Sequence, residues 1–255
     1  MWVATILSGA LIGLVLGLVG GGGSILAVPL LVHVVGVGSA HAAIGTAAVA
    51  VAANALAGLV GHARAGTVKW RCGTVFAIAG VAGAAVGAEA GKAMDGARLL
   101  MLFGLLMVVI GLSMFRKRGG ADRPEVRLTR ASAGQLIPRL VPAGLLVGLA
   151  SGFFGIGGGF LIVPALIAST RMSMTQAAGT SLVVVSALGA TTAGSYALSG
   201  YVDWRIAGLM LLGGIGGAVA GIALGKRMAA RKGLLERLFA VVVIAVGGYL
   251  VATNL

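Results

Sequence analysis

Five residues in succession, Gly20, Gly21, Gly22, Gly23 and Ser24, precede Val28-Pro29, and the pattern returns as Gly155, Ile156, Gly157, Gly158 and Gly159 before Val163-Pro164. Glycine lets a ligand come close to the backbone, so the bare amides of such a stretch can donate to a small oxyanion. Both copies lie in apolar runs longer than the roughly 20 residues that carry a helix across hydrocarbon. Peptide groups that leave a helix there lose hydrogen bonds that lipid cannot replace. A helix broken at mid-membrane, with the N-terminus of its second part facing an anion, accounts for both stretches. Ser24 adds a hydroxyl that its counterpart Gly159 lacks. The next segment of each half offers neutral partners: Thr46 and Asn54 in the first, Thr180, Ser181 and Ser186 in the second. Hydroxyls and amides cancel no charge, so they hold an anion weakly enough to release it.

Other chemistry finds little support. The chain has no HExxH, no CxxC, no phosphate loop ending in Lys-Ser or Lys-Thr and no GxSxG elbow, which argues for a non-enzyme with no metal and no cofactor. His33 and His41 are too isolated to read as a metal pair. Glu89 is the carboxylate nearest a span interior and is the candidate for proton coupling. Lys92, three residues on, offers the alternative of an ion pair near the membrane edge. His62 and Tyr196 align between the halves at segment ends, where an interface role is the default, and Trp70-Arg71 and Trp204-Arg205 read as interfacial anchors.

The positioning elements follow from composition. The chain has 255 residues, 59% hydrophobic and 10% charged, with 45 glycines and a mean hydropathy of +1.08. A soluble domain of that length needs a larger charged surface, and continuous apolar runs exclude a β-barrel, so the fold class is an all-α polytopic membrane protein. The net charge of +13 sits in the gaps between apolar runs, where it sets topology against an anionic leaflet and does not imply nucleic acid. The single cysteine, Cys72, reads as a small apolar helix residue.

Apolar segments fall at 3–35, 40–62, 72–91, 97–115, 140–169, 174–199, 205–225 and 236–252, divided by a polar stretch. The predicted organisation is a first repeat at 1–115, a basic linker at 116–139 and a second repeat at 140–255. The halves match in order: Gly17 with Gly152, Val28-Pro29 with Val163-Pro164, Gly45-Thr46 with Gly179-Thr180, and Trp70-Arg71 with Trp204-Arg205. Gly83, Gly87 and Gly91 match Gly217, Gly221 and Gly225, and with Gly213 they form four-residue ribs where another helix comes close. The ribs serve either the bundle interior or the seam of a homodimer.

If all eight segments span, the basic residues split almost evenly between the two sides. If the glycine-broken segments are re-entrant hairpins, every Lys and Arg except Lys92, Arg98 and Arg205 falls on one side. The second reading obeys the positive-inside rule and gives each half a hairpin plus three spans, an odd number, so the halves are predicted to be inverted repeats. It places the linker in the cytoplasm and both termini outside it.

The stretches GLVGGGGSILAVPLL and GFFGIGGGFLIVPAL, followed by HAAIGTAAVAVAANALAG and QAAGTSLVVVSALGATTAG, resemble the sulfite exporter TauE/SafE family over essentially the whole chain. The resemblance implies a multi-pass permease of the bacterial inner membrane that moves small sulfur-containing anions such as sulfite or organosulfonates, outward, coupled to protons or to the membrane potential. The alternatives are an anion channel or uniporter, or a membrane component of sulfur metabolism that transports nothing.

Overall fold

The computed structural model describes residues 2–19, 21–114, 128–155, 159–227 and 232–254, which form helices and short connections with no strand among them. In chain order the α-helices are α1 (Trp2–Val19), α2 (Ala27–Leu30), α3 (Ala40–Arg64), α4 (Trp70–Lys92), α5 (Gly96–Met114), α6 (Arg130–Phe154), α7 (Gly159–Thr170), α8 (Met174–Leu198), α9 (Trp204–Arg227) and α10 (Lys232–Thr253). A 3₁₀ segment, Gly21–Leu26, leads into α2, and a π-helical turn, Leu31–Val35, continues it. Among the described residues six helices are long and apolar enough to cross a membrane: those at 40–64, 70–92, 96–113, 132–154, 174–198 and 204–221.

The helix starts are written in local chemistry. Ser39 and Ser173 cap α3 and α8, each accepting the amide of the third residue on. Asp95 Oδ1 takes the amides of Ala97 and Arg98 at α5, and Asp203 Oδ1 those of Arg205 and Ile206 at α9. Thr129 and Ser132 form a reciprocal capping box, so α6 begins at Arg130. Residues 130–139, which the polar composition assigns to the linker, are therefore the first turns of α6, with Pro138 inside the helix.

Glycines set which helices touch. A Cβ on Gly213, Gly217 or Gly221 of α9 would land on the backbone of Ile6, Ala10 or Leu14 in α1. The reciprocal glycines of α1, Gly9 and Gly13, lie against Met210 and Gly214. The other half repeats this: Gly83, Gly87 and Gly91 of α4 lie against Leu145, Leu149 and Phe153 of α6, and Gly144, Gly148 and Gly152 against Phe76, Gly80 and Ala84. Both ribs thus close contacts within one chain, each joining the first helix of one half to the other half. The open choice between bundle interior and dimer seam is resolved for these faces.

The same pairs give direction. Numbering rises together along α1 and α9, and along α4 and α6, so each pair is parallel. Thr46 meets Asp203 and Asn54 meets Gly214, which makes α3 parallel to α9; Gly73 meets Thr180 and Gly80 meets Leu188, which makes α4 parallel to α8. Gly58 meets Leu182 while Gly189 meets Ala52, so α3 and α8 are antiparallel, and Gly104 with Gly247 and Gly111 with Ile244 make α5 and α10 antiparallel. Since α1 and α3 point the same way, residues 21–35 between them run back toward the end where α1 began. By the same logic α6 and α8 agree and α7 runs back. Each broken segment is a hairpin.

Charge separates along these directions. One end of the bundle holds Arg64, Lys69, Arg71 and Arg171; at the other, Glu89, Asp95 and Asp203 offset Lys92, Arg98 and Arg205. The Trp2 end of α1 and the Thr253 end of α10 belong to the offset end. Exposed Ile78, Val86, Leu146, Leu212 and Val219 give the flanks a surface suited to lipid, and exposed Trp70 and Trp204 mark the starts of α4 and α9.

Replacing Gly217 or Gly87 by leucine is expected to abolish recovery of monodisperse protein, because the obstructing atoms are backbone carbonyls that cannot swing aside. Gly216→Ala, where a Cβ meets nothing within 4 Å, is expected to leave it unchanged. Size-exclusion profiles after detergent extraction distinguish the two outcomes.

Candidate functional site

The first glycine stretch resolves into a 3₁₀ turn from Gly21, and its Ser24 is fully buried. This segment packs on α7, the return arm of the other hairpin, and touches α3 and α8. Two hairpins of opposite halves therefore meet inside the bundle, with the first glycine stretch at the contact. Gly20, Gly157 and Gly158 lie outside the described residues.

Gly155 ends α6 with φ 65°, the left-handed region in which glycine carries no Cβ penalty. A side chain there would run into Ile44 on the second turn of α3. Phe153 beside it packs on Gly91 in the last turn of α4. The second break therefore lies level with the end of α4, because α6 keeps its glycine register along nearly the whole of α4. Gly159 is buried at the start of α7.

Thr46 and Thr180 are both fully buried and make the same bond in opposite halves. The Asp203 amide donates to Thr46 Oγ1 over 3.0 Å, and the Lys69 amide donates to Thr180 Oγ1 over 2.9 Å. Each threonine thus stops the loop that enters α9 or α4 of the partner half. Ser181 Oγ donates to the Ala178 carbonyl and Ser186 Oγ to the Leu182 carbonyl, back-bonds along α8. Asn54 differs: it is 1% exposed, its amide lies against Gly214, and Oδ1 has no protein partner.

Glu89 pairs with Lys92 in the last turn of α4. Its carboxylate bonds Lys92 Nζ at 2.8 Å with the glutamate side chain 68% exposed and the lysine 15%. Ser195 Oγ donates to Glu89 and Lys92 donates to Ser199 Oγ, so the pair ties the end of α4 to the end of α8. His33 and His41 face different rings, Tyr249 at 5.0 Å and Tyr201 at 5.4 Å.

Sequence reasoning passed over the buried hydroxyls of Ser151 and Thr192 and gave Tyr196 only an interface role. All three residues are 0% exposed, and their hydroxyls have no protein partner. The signal available was the duplication: the matched positions in the first half are Leu16, Gly58 and His62.

A helical bundle with two opposed, glycine-broken hairpins among apolar spans defines a polytopic membrane protein. The family model of the sulfite exporter TauE/SafE matches residues 5–250, and the chain belongs to that family. It is 50% identical over 249 residues to a probable membrane transporter protein of Xylella fastidiosa (strain 9a5c), covering 98% of this chain and 94% of that protein. It is 27% identical over 267 residues to the probable membrane transporter protein YunE of Bacillus subtilis (strain 168), covering 98% and 97%. A third relative, the probable membrane transporter protein MJ0441 of Methanocaldococcus jannaschii, is 27% identical over 237 residues, covering 88% and 86%. No solved structure matches.

Thr46→Val and Thr180→Val should each lower stability by about 1–3 kcal/mol, since the amide of Asp203 or Lys69 is left without its acceptor. The two sites share no partner, so the double variant should lose the sum. Thermal unfolding in detergent checks both, and no change in either single variant would contradict the assignment.

Proposed function

We propose that this chain is a secondary transporter of small sulfur-containing anions, such as sulfite or organosulfonates, working by alternating access around the meeting point of its two hairpins. Family membership supports a permease. The observation that carries the site is the packing of Gly21–Leu26 on α7 between α3 and α8, which brings opposite halves together at a glycine stretch holding buried Ser24. Antiparallel matched helices, α3 against α8 and α5 against α10, favour repeats at 1–115 and 140–255 inverted about an axis in the membrane plane. Two inverted halves can exchange conformations, which opens a shared site to each side in turn.

In this reading the amides of Gly20, Gly21, Gly22 and Gly23 bind the oxyanion toward one end of its path and those of Gly155, Gly157, Gly158 and Gly159 toward the other. Ser24 and Asn54 add neutral donors, the Asn54 amide being able to turn its nitrogen toward the site by a flip. Thr46, Thr180 and Ser181 hold the walls in place. The exposed Glu89–Lys92 pair braces the bundle end, which leaves the membrane potential as the simpler coupling force for an anion. The basic end faces the cytoplasm of a bacterial inner membrane and both termini lie outside it.

Purified protein in liposomes should accumulate sulfite against its gradient when a membrane potential or pH gradient is imposed. Flux that only runs downhill would identify a channel, and no flux of any sulfur oxyanion would remove the transporter reading. Gly22→Leu is expected to abolish transport with membrane insertion intact, and Ser24→Ala to weaken binding by about 0.5–1.5 kcal/mol. Protease access to tags at the two termini in intact cells tests the orientation.

A further inference from the structure

The polar groups that the proposed site leaves unused lie beside the α6 arm of the second hairpin. Ser151 lies one turn before Gly155 and beside Gly152, which packs on Ala84. On α8, Leu188 packs on Gly80 and Tyr196 Oη lies beside Gly91, so Thr192, between them, is level with the α4 segment that Gly152 and Ser151 flank. Ser151 and Thr192 therefore share a level between α6, α4 and α8, and Tyr196 reaches nearer the end of α4. Each is fully buried and none has a protein partner for its hydroxyl, a costly arrangement for one such group and more so for three. His41 Nε2 is likewise buried and unpartnered; its ring is 5.4 Å from that of Tyr201, which is 6.3 Å from that of Tyr196.

Beyond Tyr196 this line reaches the bundle end at Lys92, next to Gly91. In the ion pair there the ammonium is the less exposed member and the carboxylate the more exposed one, so the nearer charge seen from inside is positive. Among the described residues no buried side chain is acidic. A cation on this path would meet only neutral acceptors, whereas an anion meets hydroxyl donors with a lysine at the mouth. The first half does not repeat the lining, having Leu16 and Gly58 where the second has Ser151 and Thr192, and His62 bonds Thr67 at 3.0 Å.

We propose that the hydroxyls of Tyr196, Thr192 and Ser151, entered past Lys92, form a one-sided access route by which a small oxyanion passes from the end of the bundle that carries both termini to the α6 arm of the second hairpin, one turn inside Gly155. The inference deepens the transporter reading, and its test does not depend on transport.

In a Cys72→Ala background, Thr192→Cys and Ser151→Cys are each exposed, in oriented proteoliposomes, to 2-sulfonatoethyl methanethiosulfonate and to its trimethylammonioethyl analogue. The cysteine thiolate attacks the sulfenyl sulfur, a mixed disulfide forms and methanesulfinate leaves. The route requires labelling from the termini-bearing side, with the anionic reagent faster by about tenfold. Adding Lys92→Gln should bring the two rates to within about a factor of two or three, and Ala47→Cys, in the closed core, should stay unlabelled. Absence of labelling at both positions, or equal or faster labelling by the cation with Lys92 intact, overturns the proposal. Sulfite flux measured in the same vesicles separates the two claims. Flux without labelling removes the route and keeps the transporter, whereas selective labelling without flux keeps the route and removes sulfite.

Discussion

Close approach of helix backbones across glycine governs this structure. Lipid tails are as apolar as the side chains they would replace, so helices in a membrane gain little from hydrophobic burial and associate through van der Waals packing and hydrogen bonds. That packing needs surfaces flat enough for main chains to come near. Gly213, Gly217 and Gly221 supply one such surface and Gly83, Gly87 and Gly91 the other, and in each case the surface receives the opening helix of the opposite half. The positions of both hairpins follow from this, because α1 and α6 are fixed along their whole length before the chain turns back.

Polar contacts between the halves act on that frame and are few. Thr46 and Thr180 each take one amide from a loop of the other half, and the Glu89–Lys92 pair with Ser195 and Ser199 closes one end. Each is short, which suits contacts that keep the two halves in register. The deeper polar groups differ in kind. Ser24, Asn54, Ser151 and Thr192 are small and uncharged, so the interior can favour an anion without holding it by an opposite charge.

Much of this was legible in the sequence. The duplication and the glycine ribs follow from spacing, because residues four apart share a helix face whatever lies opposite, and the hairpins follow from the split of basic residues. The partner of a rib does not follow, since the pattern describes one surface and says nothing of what meets it. The start of α6 was hidden because residues 130–139 are polar and contain Pro138, while the cap that begins the helix, Thr129 with Ser132, is a local signal that composition outweighs. Thr46 was singled out as a ligand, and the amide it takes in the structure could not be foreseen because it belongs to Asp203, far away in sequence. Ser151 and Thr192 escaped notice because a hydroxyl in an apolar helix usually bonds its own preceding turn, as Ser186 does.

The interlocking of the halves has a consequence for how the protein is made. A ribosome delivers the first half while the helix that must cover α4 is still unsynthesised, so Gly83, Gly87 and Gly91 stay bare and Lys69 waits for an acceptor on a segment not yet translated. Neither half completes itself, and an isolated amino-terminal fragment would carry an adhesive groove into the bilayer. Maturation is thus a late, concerted event, and a nascent chain stalled after α5 is a substrate for quality control.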